Sequence, residues 1–374
     1  MATLFIAIFL LLSLLLILYV PIKLKAHSKK VLLHNTCLIE LFSFVTNHGG
    51  HFLSHLMFLN DKYGYWAVNK SVYFSFQKIS GRVIVLGDPI GNKHLFSLAL
   101  EELQEKCKTH HVKQPIYYQI SSKYKYMYEA LNYRIIKIGE EAKVSLTGFN
   151  LEGKKRGKLR TSLKRFDREG IYFNVVLPPY SEEFLQEIKK VSDVWLGNRS
   201  EKGFSVSFFD MEYISRFPIG VLVDPNMQIV AFATLPSYHH EQEKTIHIDL
   251  MRYIPTSPNG TMDVLFTSIF MWAKENGYHY CSLGMAPLAN VGSDGNPKSL
   301  YEWSARLMYL YGEKFYKFKG LKKYKEKFAT DWEPRYIAYK KTTLIGVLFR
   351  IIILIHLRSE NLGKFGLNLL KKAS

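Results

Sequence analysis

GVLVDPNMQIVAFATL (220–235), KTIHIDLMRY (244–253), DVLFTSIFMWAKENG (263–277) and YHYCSLG (278–284) follow closely on one another, and their order decides the fold class. The first is a β-hairpin: two apolar, β-branched runs flank a turn at Pro225-Asn226. The second reads as one strand. The third has the apolar spacing of a helix closed by Gly277, and the fourth is a strand again. Working outward, Glu182 to Trp195 is helical. The N-terminal half repeats the order: WAVNKSVYFSFQKISGRVIVLG (66–87) is a hairpin or meander and HLFSLALEELQEKCKTH (94–110) an amphipathic helix. PIYYQIS (115–121) is a strand, and KYMYEALNYRIIKIG (125–139) a short helix running into a strand. Two successive helix–hairpin–strand–helix–strand units predict two similar α/β domains, with a boundary near the basic helix at 153–170.

The chain has 374 residues, 48% of them hydrophobic, which supports a large buried core and excludes a wholly disordered chain. Fifty Lys and Arg against 32 Asp and Glu leave a formal charge of +18, a surplus that calls for an anionic partner: nucleic acid, acidic lipid, or both. Three cysteines, Cys37, Cys107 and Cys281, lie far apart, with no CxxC. That pattern argues against a disulfide framework and a thiolate zinc site. There is no GxxxxGK[ST], GxGxxG, G-x-S-x-G or HExxH. The two-unit pattern suggests N-acetyltransferase-like folding, yet no R-x-x-G-x-G/A turn for the acetyl-CoA pyrophosphate is present, so an acyl donor other than CoA is expected.

Ala2 to Val20, ATLFIAIFLLLSLLLILYV, is 19 residues without a charge. A helix of that length spans about 28 Å, near the hydrocarbon thickness of a bilayer. It lacks the basic start and small-residue cleavage site of a signal peptide. Lys23, Lys25, Lys29 and Lys30 follow it, so the positive-inside bias places everything after residue 22 in the cytoplasm. A single-pass anchor over residues 1–22, in the cell membrane, is the expectation. The apolar run Leu344 to Leu357 is too short to span and carries Arg350 and His356. With basic residues around it, it reads as an interfacial helix within 341–374, or as a C-terminal helix packed on the domain.

GKKRGKLRTSLKRFDREG (153–170) holds eight Lys/Arg, enough to cover more than one helical face. Lys154, Lys155, Arg156, Lys158 and Arg160 are candidate phosphate-backbone contacts; a solvated or lipid-facing basic helix is the alternative. GEKFYKFKGLKKYKEKF (312–328) interleaves seven lysines with aromatics, a pattern that suits stacking on bases or a half-buried element with snorkelling lysines. HIDLMRY (247–253) sets Asp249 and Arg252 near a strand end, as a working pair or a structural ion pair. WEPRY (332–336), with Glu333, Arg335 and Tyr336, reads as a turn anchored by Trp332, and LGMAPLANVG (283–292) as a Gly/Pro loop. The tandem His239-His240 reads as surface.

Taken together, GDPIG (87–91), LTGFNLEGKKRGKLR (146–160), IDLMRY (248–253), LGMAPLAN (283–290) and FYKFKGLKKYKEKFATDWEPRYIAY (315–339) resemble, in collinear order, the C-terminal catalytic domain of the phosphatidylglycerol lysyltransferases, the multiple peptide resistance factor family. The resemblance covers residues 40–340. It implies two tandem N-acetyltransferase-like domains, 35–152 and 153–340, related to FemX-type enzymes. It implies transfer of an amino acid, lysine or alanine, from aminoacyl-tRNA to the glycerol hydroxyl of phosphatidylglycerol in the inner leaflet. The cationic lipid lowers membrane negative charge and protects against cationic antimicrobial peptides. The donor is a co-substrate; no cofactor and no metal is expected. By the same resemblance Asp249, Arg252, Lys327 and Glu333 are candidate catalytic residues, with Glu302, Arg335 and Tyr336 on the substrate. Full-length relatives carry a multi-helix flippase region where this chain has one apolar segment, so synthesis of the product, and not its flipping, is expected of this chain. An activated aminoacyl ester needs orientation and oxyanion stabilisation more than a covalent nucleophile. Two rival readings share these features: a FemX-like transferase acting on a peptidoglycan precursor, and a catalytically silent lipid- or RNA-binding module.

Overall fold

A computed structural model of the chain describes residues 37–240, 243–291 and 318–356. The expected anchor over 1–22, Glu302 and the tail beyond 356 lie outside the described residues. Among the described residues no helix is long and apolar enough to cross a membrane.

In chain order the strands of the N-terminal half are β1 (Tyr63–Ala67), β2 (Val72–Ile79), β3 (Arg82–Leu86), β4 (Ile90–Gly91), β5 (Lys113–Ser121) and β6 (Arg134–Ser145). Those that follow are β7 (Tyr172–Val176), β8 (Ile219–Val223), β9 (Ile229–Thr234), β10 (Ser237–His240), β11 (Glu243–His247), β12 (Met251–Tyr253), β13 (Tyr280–Pro287) and β14 (Asp331–Tyr339). They form a ten-stranded sheet in the order β1-β2-β3-β5-β14-β6-β13-β11-β10, with β4 on β2, and a four-stranded sheet β12-β9-β8-β7. Pairing in the large sheet is antiparallel except for β3/β5 and β11/β13. The helices are α1 (Leu38–His48), α2 (Phe96–Thr109), α3 (Lys125–Ala130), α4 (Gly157–Arg168), α5 (Glu182–Leu196), α6 (Met211–Ile214), α7 (Thr261–Glu275), α8 (Phe318–Lys325) and α9 (Leu344–His356).

The physical basis is conventional. β3 (RVIVL) and β8 (IGVLV) are buried along their whole length, as strands covered on both faces must be, and both are β-branched or aliphatic runs. α2 buries Ala99, Leu100, Leu103 and Cys107 at helical spacing. α7 does the same with Val264, Leu265, Ile269, Phe270 and Ala273, where Phe270 meets Phe149 and Phe328 edge-on. α5 starts where Ser181 Oγ accepts from the Phe184 amide at 3.2 Å. The expected β8–β9 hairpin turns as read, with the Asp224 carboxylate accepting from the amides of Asn226 and Gln228.

The structure departs from the sequence reading in three places. Residues 244–253 are not one strand: β11 belongs to the large sheet and β12 to the small one, with the change of sheet at 248–250. WEPRY is no turn. It opens β14, which inserts between β5 and β6, so the large sheet draws strands from both sides of position 153. Pro334 is tolerated because pairing with β5 begins only at Arg335, leaving the proline paired on the β6 side alone. LGMAPLANVG starts as strand, since β13 continues to Pro287 across a bulge between Ser282 and Met285. α9 buries Val347, Ile351 and Ile353 against the domain, the packed alternative of the sequence reading, while Ile345 (74%) and Ile352 (50%) face outward.

Candidate functional site

The change of sheet positions the site. β9 ends at Thr234 and β10 begins at Ser237; β11 ends at His247 and β12 begins at Met251. The two crossings are bonded to each other, with the Asp249 amide donating to the Thr234 carbonyl (3.1 Å), the Thr234 amide to Leu250 (3.1 Å) and the His247 amide to Pro236 (2.8 Å). A two-stranded ribbon therefore passes from one sheet to the other, and side chains at the crossing point inward between the layers.

Beside the crossing lies a cavity of about 730 Å³. Its walls come from the loop after α1 (Gly50, His51, Phe52), the GDPIG loop (Asp88), the turn after β5 (Lys123), β6 (Lys143), β10 (Tyr238) and β14 (Glu333, Arg335). Arg335 is 5% exposed and Glu141, on β6, wholly buried. Arg335 Nη2 donates to the Glu141 carboxylate and, at 3.0 Å, to Glu333 Oε2. The guanidinium lies 4.7 Å from the Phe52 ring centroid. Glu141 accepts further from Ser282 Oγ at 2.6 Å, and Glu333 also takes Lys143 Nζ. Arg335, Glu141, Glu333 and Lys143 each have an opposite charge and a hydrogen bond, the condition under which ions persist in an interior. Asp88 accepts from the Ser121 amide at 3.1 Å, and His51 Nε2 is 3.0 Å from the Asp88 carbonyl. Burial pushes the His51 ring below its usual basicity.

Behind this wall a second polar cluster fills the crossing. Asp249 Oδ2 accepts from Tyr213 Oη at 2.7 Å and Thr234 Oγ1 at 3.3 Å, and its Oδ1 is 3.2 Å from His55 Nε2. The His55 and His247 rings lie 4.8 Å apart between centroids, tilted at 32° to each other. Burial alone works to raise the Asp249 carboxyl; the neighbouring imidazoles and the Tyr213 hydroxyl outweigh it and hold the group well below the usual carboxylate range. Burial brings His247 down to about 3 and Lys325 to about 7. Lys325 Nζ donates to the Gly284 and Met285 carbonyls at 3.0 Å each. Gly284, at φ +74°, is tied to this packing: a Cβ there would sit 3.3 Å from His247 Cε1.

The residues singled out from the sequence separate into groups. Glu333 and Arg335 meet in the cavity wall. Asp249 lies nearby but buried, and does not line the cavity. Arg252, expected beside Asp249 as a working pair, is instead 2% exposed and faces the small sheet's other partner. It forks onto both Glu201 oxygens (2.9 and 2.8 Å), donates to Ser192 Oγ and stacks 4.5 Å over Trp195. Residues 249 and 252 part because the chain enters β12 between them, so Arg252 is a structural anchor. Lys327 is half exposed and paired to Asp263 at 3.1 Å, outside the cavity. Tyr336 follows a bulge after Arg335 and packs into the core of the N-terminal half, with Lys125 5.6 Å from its ring. In the basic helix, Lys154, Lys155 and Lys158 are exposed. Arg156 and Arg160 are turned back onto the Lys327 and Gly153 carbonyls, at 2.7 and 2.8 Å. His51, His55, Glu141, Lys143, His247 and Lys325 were missed. A trace of them is legible: Glu140-Glu141 interrupts an apolar strand pattern, and His51 and His55 flank Phe52-Leu53-Ser54.

The mixed α/β architecture is shared with FemX, whose solved structure matches at a TM-score of 0.50 with 12% identity, over 85% of this chain and 99% of that one. Residues 42–339 match the family described as phosphatidylglycerol lysyltransferase, C-terminal, and the chain belongs to that family. A phosphatidylglycerol lysyltransferase of Bacillus subtilis is 41% identical over 319 residues, which are 84% of this chain and 36% of that protein. The chain thus spans a little over a third of such curated relatives. The solved structure of L-PGS from Bacillus licheniformis is 38% identical with a TM-score of 0.77, covering 88% of this chain and all of that one.

Proposed function

We propose that this chain transfers an amino acid, lysine before others, from aminoacyl-tRNA to the glycerol hydroxyl of phosphatidylglycerol at the membrane. The observation that carries the reading is the cavity wall, where paired carboxylates and cations line one cavity in a chain of this family. The substrates bring both signs of charge: an α-ammonium, a lysine ammonium and a phosphodiester. Glu333 and Glu243 suit the ammonium groups; Lys143, Lys123 and Arg335 suit the phosphate and the developing oxyanion. The glycerol oxygen attacks the ester carbonyl carbon, the tRNA ribose oxygen leaves, and the proton lost by the first is gained by the second. Glu333, half exposed on the cavity, is placed to carry that proton. Asp249, behind the wall, fixes the ribbon through Tyr213 and Thr234.

In this reading the chain is two N-acetyltransferase-like units, 35–152 and 153–340, that share one sheet through the insertion of β14 and the pairing of β6 with β13. The apolar segment at 2–20 anchors it, and Lys154, Lys155 and Lys158 meet tRNA phosphates. The full chain expressed in a host without lysyl-phosphatidylglycerol, with radiolabelled lysine or alanine, should yield a labelled basic lipid on chromatography. Unchanged lipids with altered muropeptide cross-bridges would move the acceptor to a peptidoglycan precursor, and no change in either would refute the transfer.

A further inference from the structure

We propose that His55, His247 and Asp249 form a buried binding site for one divalent transition-metal ion of the zinc class. The three residues come from the 3-10 turn after α1 and from the two ends of the sheet crossing, and each offers a ligand atom within 4.8 Å of the other two. Two ligands about 2.0–2.1 Å from a tetrahedral ion stand about 3.3 Å apart. The His55 Nε2 to Asp249 Oδ1 separation is already 3.2 Å. That ion-pair contact is the only polar one that Nε2 makes among the described residues, so the imidazole nitrogen and the carboxylate oxygen converge on one point. His247 Nδ1 is buried without a hydrogen-bond partner, in a residue only 7% exposed. An interior that leaves two imidazole nitrogens unsatisfied around a carboxylate has a deficit that one cation would fill.

The outer contacts are those such a site requires. Asp249 Oδ2 is held by Tyr213 and Thr234, leaving Oδ1 for the ion. Lys325, the cation facing His247 from α8, is directed to the Gly284 and Met285 carbonyls. Two imidazoles and one carboxylate are a borderline donor set that favours zinc or cobalt over magnesium and calcium, with a fourth position left for water. The ion would tie the N-terminal turn to the ribbon at the point where it changes sheets. This inference is independent of the transfer reaction.

The test uses the full chain in detergent, stripped with chelator and titrated with Co2+. Expected are one equivalent bound, with the intense visible absorption of a four-coordinate ion, and at least tenfold weaker binding in His247→Gln and in Asp249→Asn. Binding no greater than that of the His55→Gln/His247→Gln double variant, or only the weak absorption of a six-coordinate ion, would overturn it. Should the variants fail to fold, the wild type decides alone. A melting temperature raised by Zn2+ and not by Mg2+ supports the site, and no rise with Zn2+ refutes it.

Discussion

Arg335→Met isolates the ion cluster in the cavity wall. The substitution keeps most of the side-chain volume and the stacking on Phe52, but leaves Glu141, with no solvent exposure, facing an apolar group. Removing one member of a buried pair costs about 3–5 kcal/mol, because the surviving charge is uncompensated. For a chain of 374 residues the unfolding entropy makes this a drop of about 4–6 °C in melting temperature. Glu141→Gln should hurt less, since the amide still accepts from Ser282 Oγ. The double variant Glu141→Gln/Arg335→Met should recover part of the loss, with a coupling of about 1–3 kcal/mol. Calorimetry of all four proteins gives the cycle, and lipid aminoacylation per folded molecule is read alongside. Additive effects, or a drop under about 1 °C for Arg335→Met, would show that solvent or relaxation compensates Glu141 and would remove the electrostatic account of this wall.

Arg252→Ala should lower stability by about 3–5 kcal/mol by stranding Glu201, while turnover per folded molecule stays near wild type; loss of turnover at an unchanged melting temperature would restore Arg252 to the chemistry. Neutralising Lys154, Lys155 and Lys158 together should flatten the slope of log affinity for tRNA against log salt by about 2–3, and an unchanged slope would make α4's entry lipid-facing or merely solvated. Lys325 is held near 7 in the folded chain against an ordinary 10.5, so the unfolded chain binds more protons between those values and stability must rise with pH across that window. Lys325→Met should abolish the rise in denaturant midpoint between pH 7 and 10; a wild-type midpoint that is flat or falls there would contradict the burial of a neutral amine.

The local physics of single segments was legible in the order of residues. Apolar periodicity settled α2 and α7, turn chemistry at Asp224–Gln228 settled the β8–β9 hairpin, and the charge and collinear motifs pointed to the family. Those signals act over a few residues, so a linear chain displays them. The placement of Trp332 to Tyr336 did not follow, because a Trp-Glu-Pro stretch reads as a turn until β5 and β6 are brought to either side of it. Asp249 and Arg252 looked like partners at a separation of three, yet a change of sheet at 248–250 sends one to Tyr213 and His55 and the other to Glu201. Glu141 meeting Arg335 spans 194 positions, and His55 meeting Asp249 a comparable stretch. Buried ions survive only beside a neutralising partner, and which partner is near is decided by strand order across the whole sheet, a property of the packed layers that no local pattern encodes.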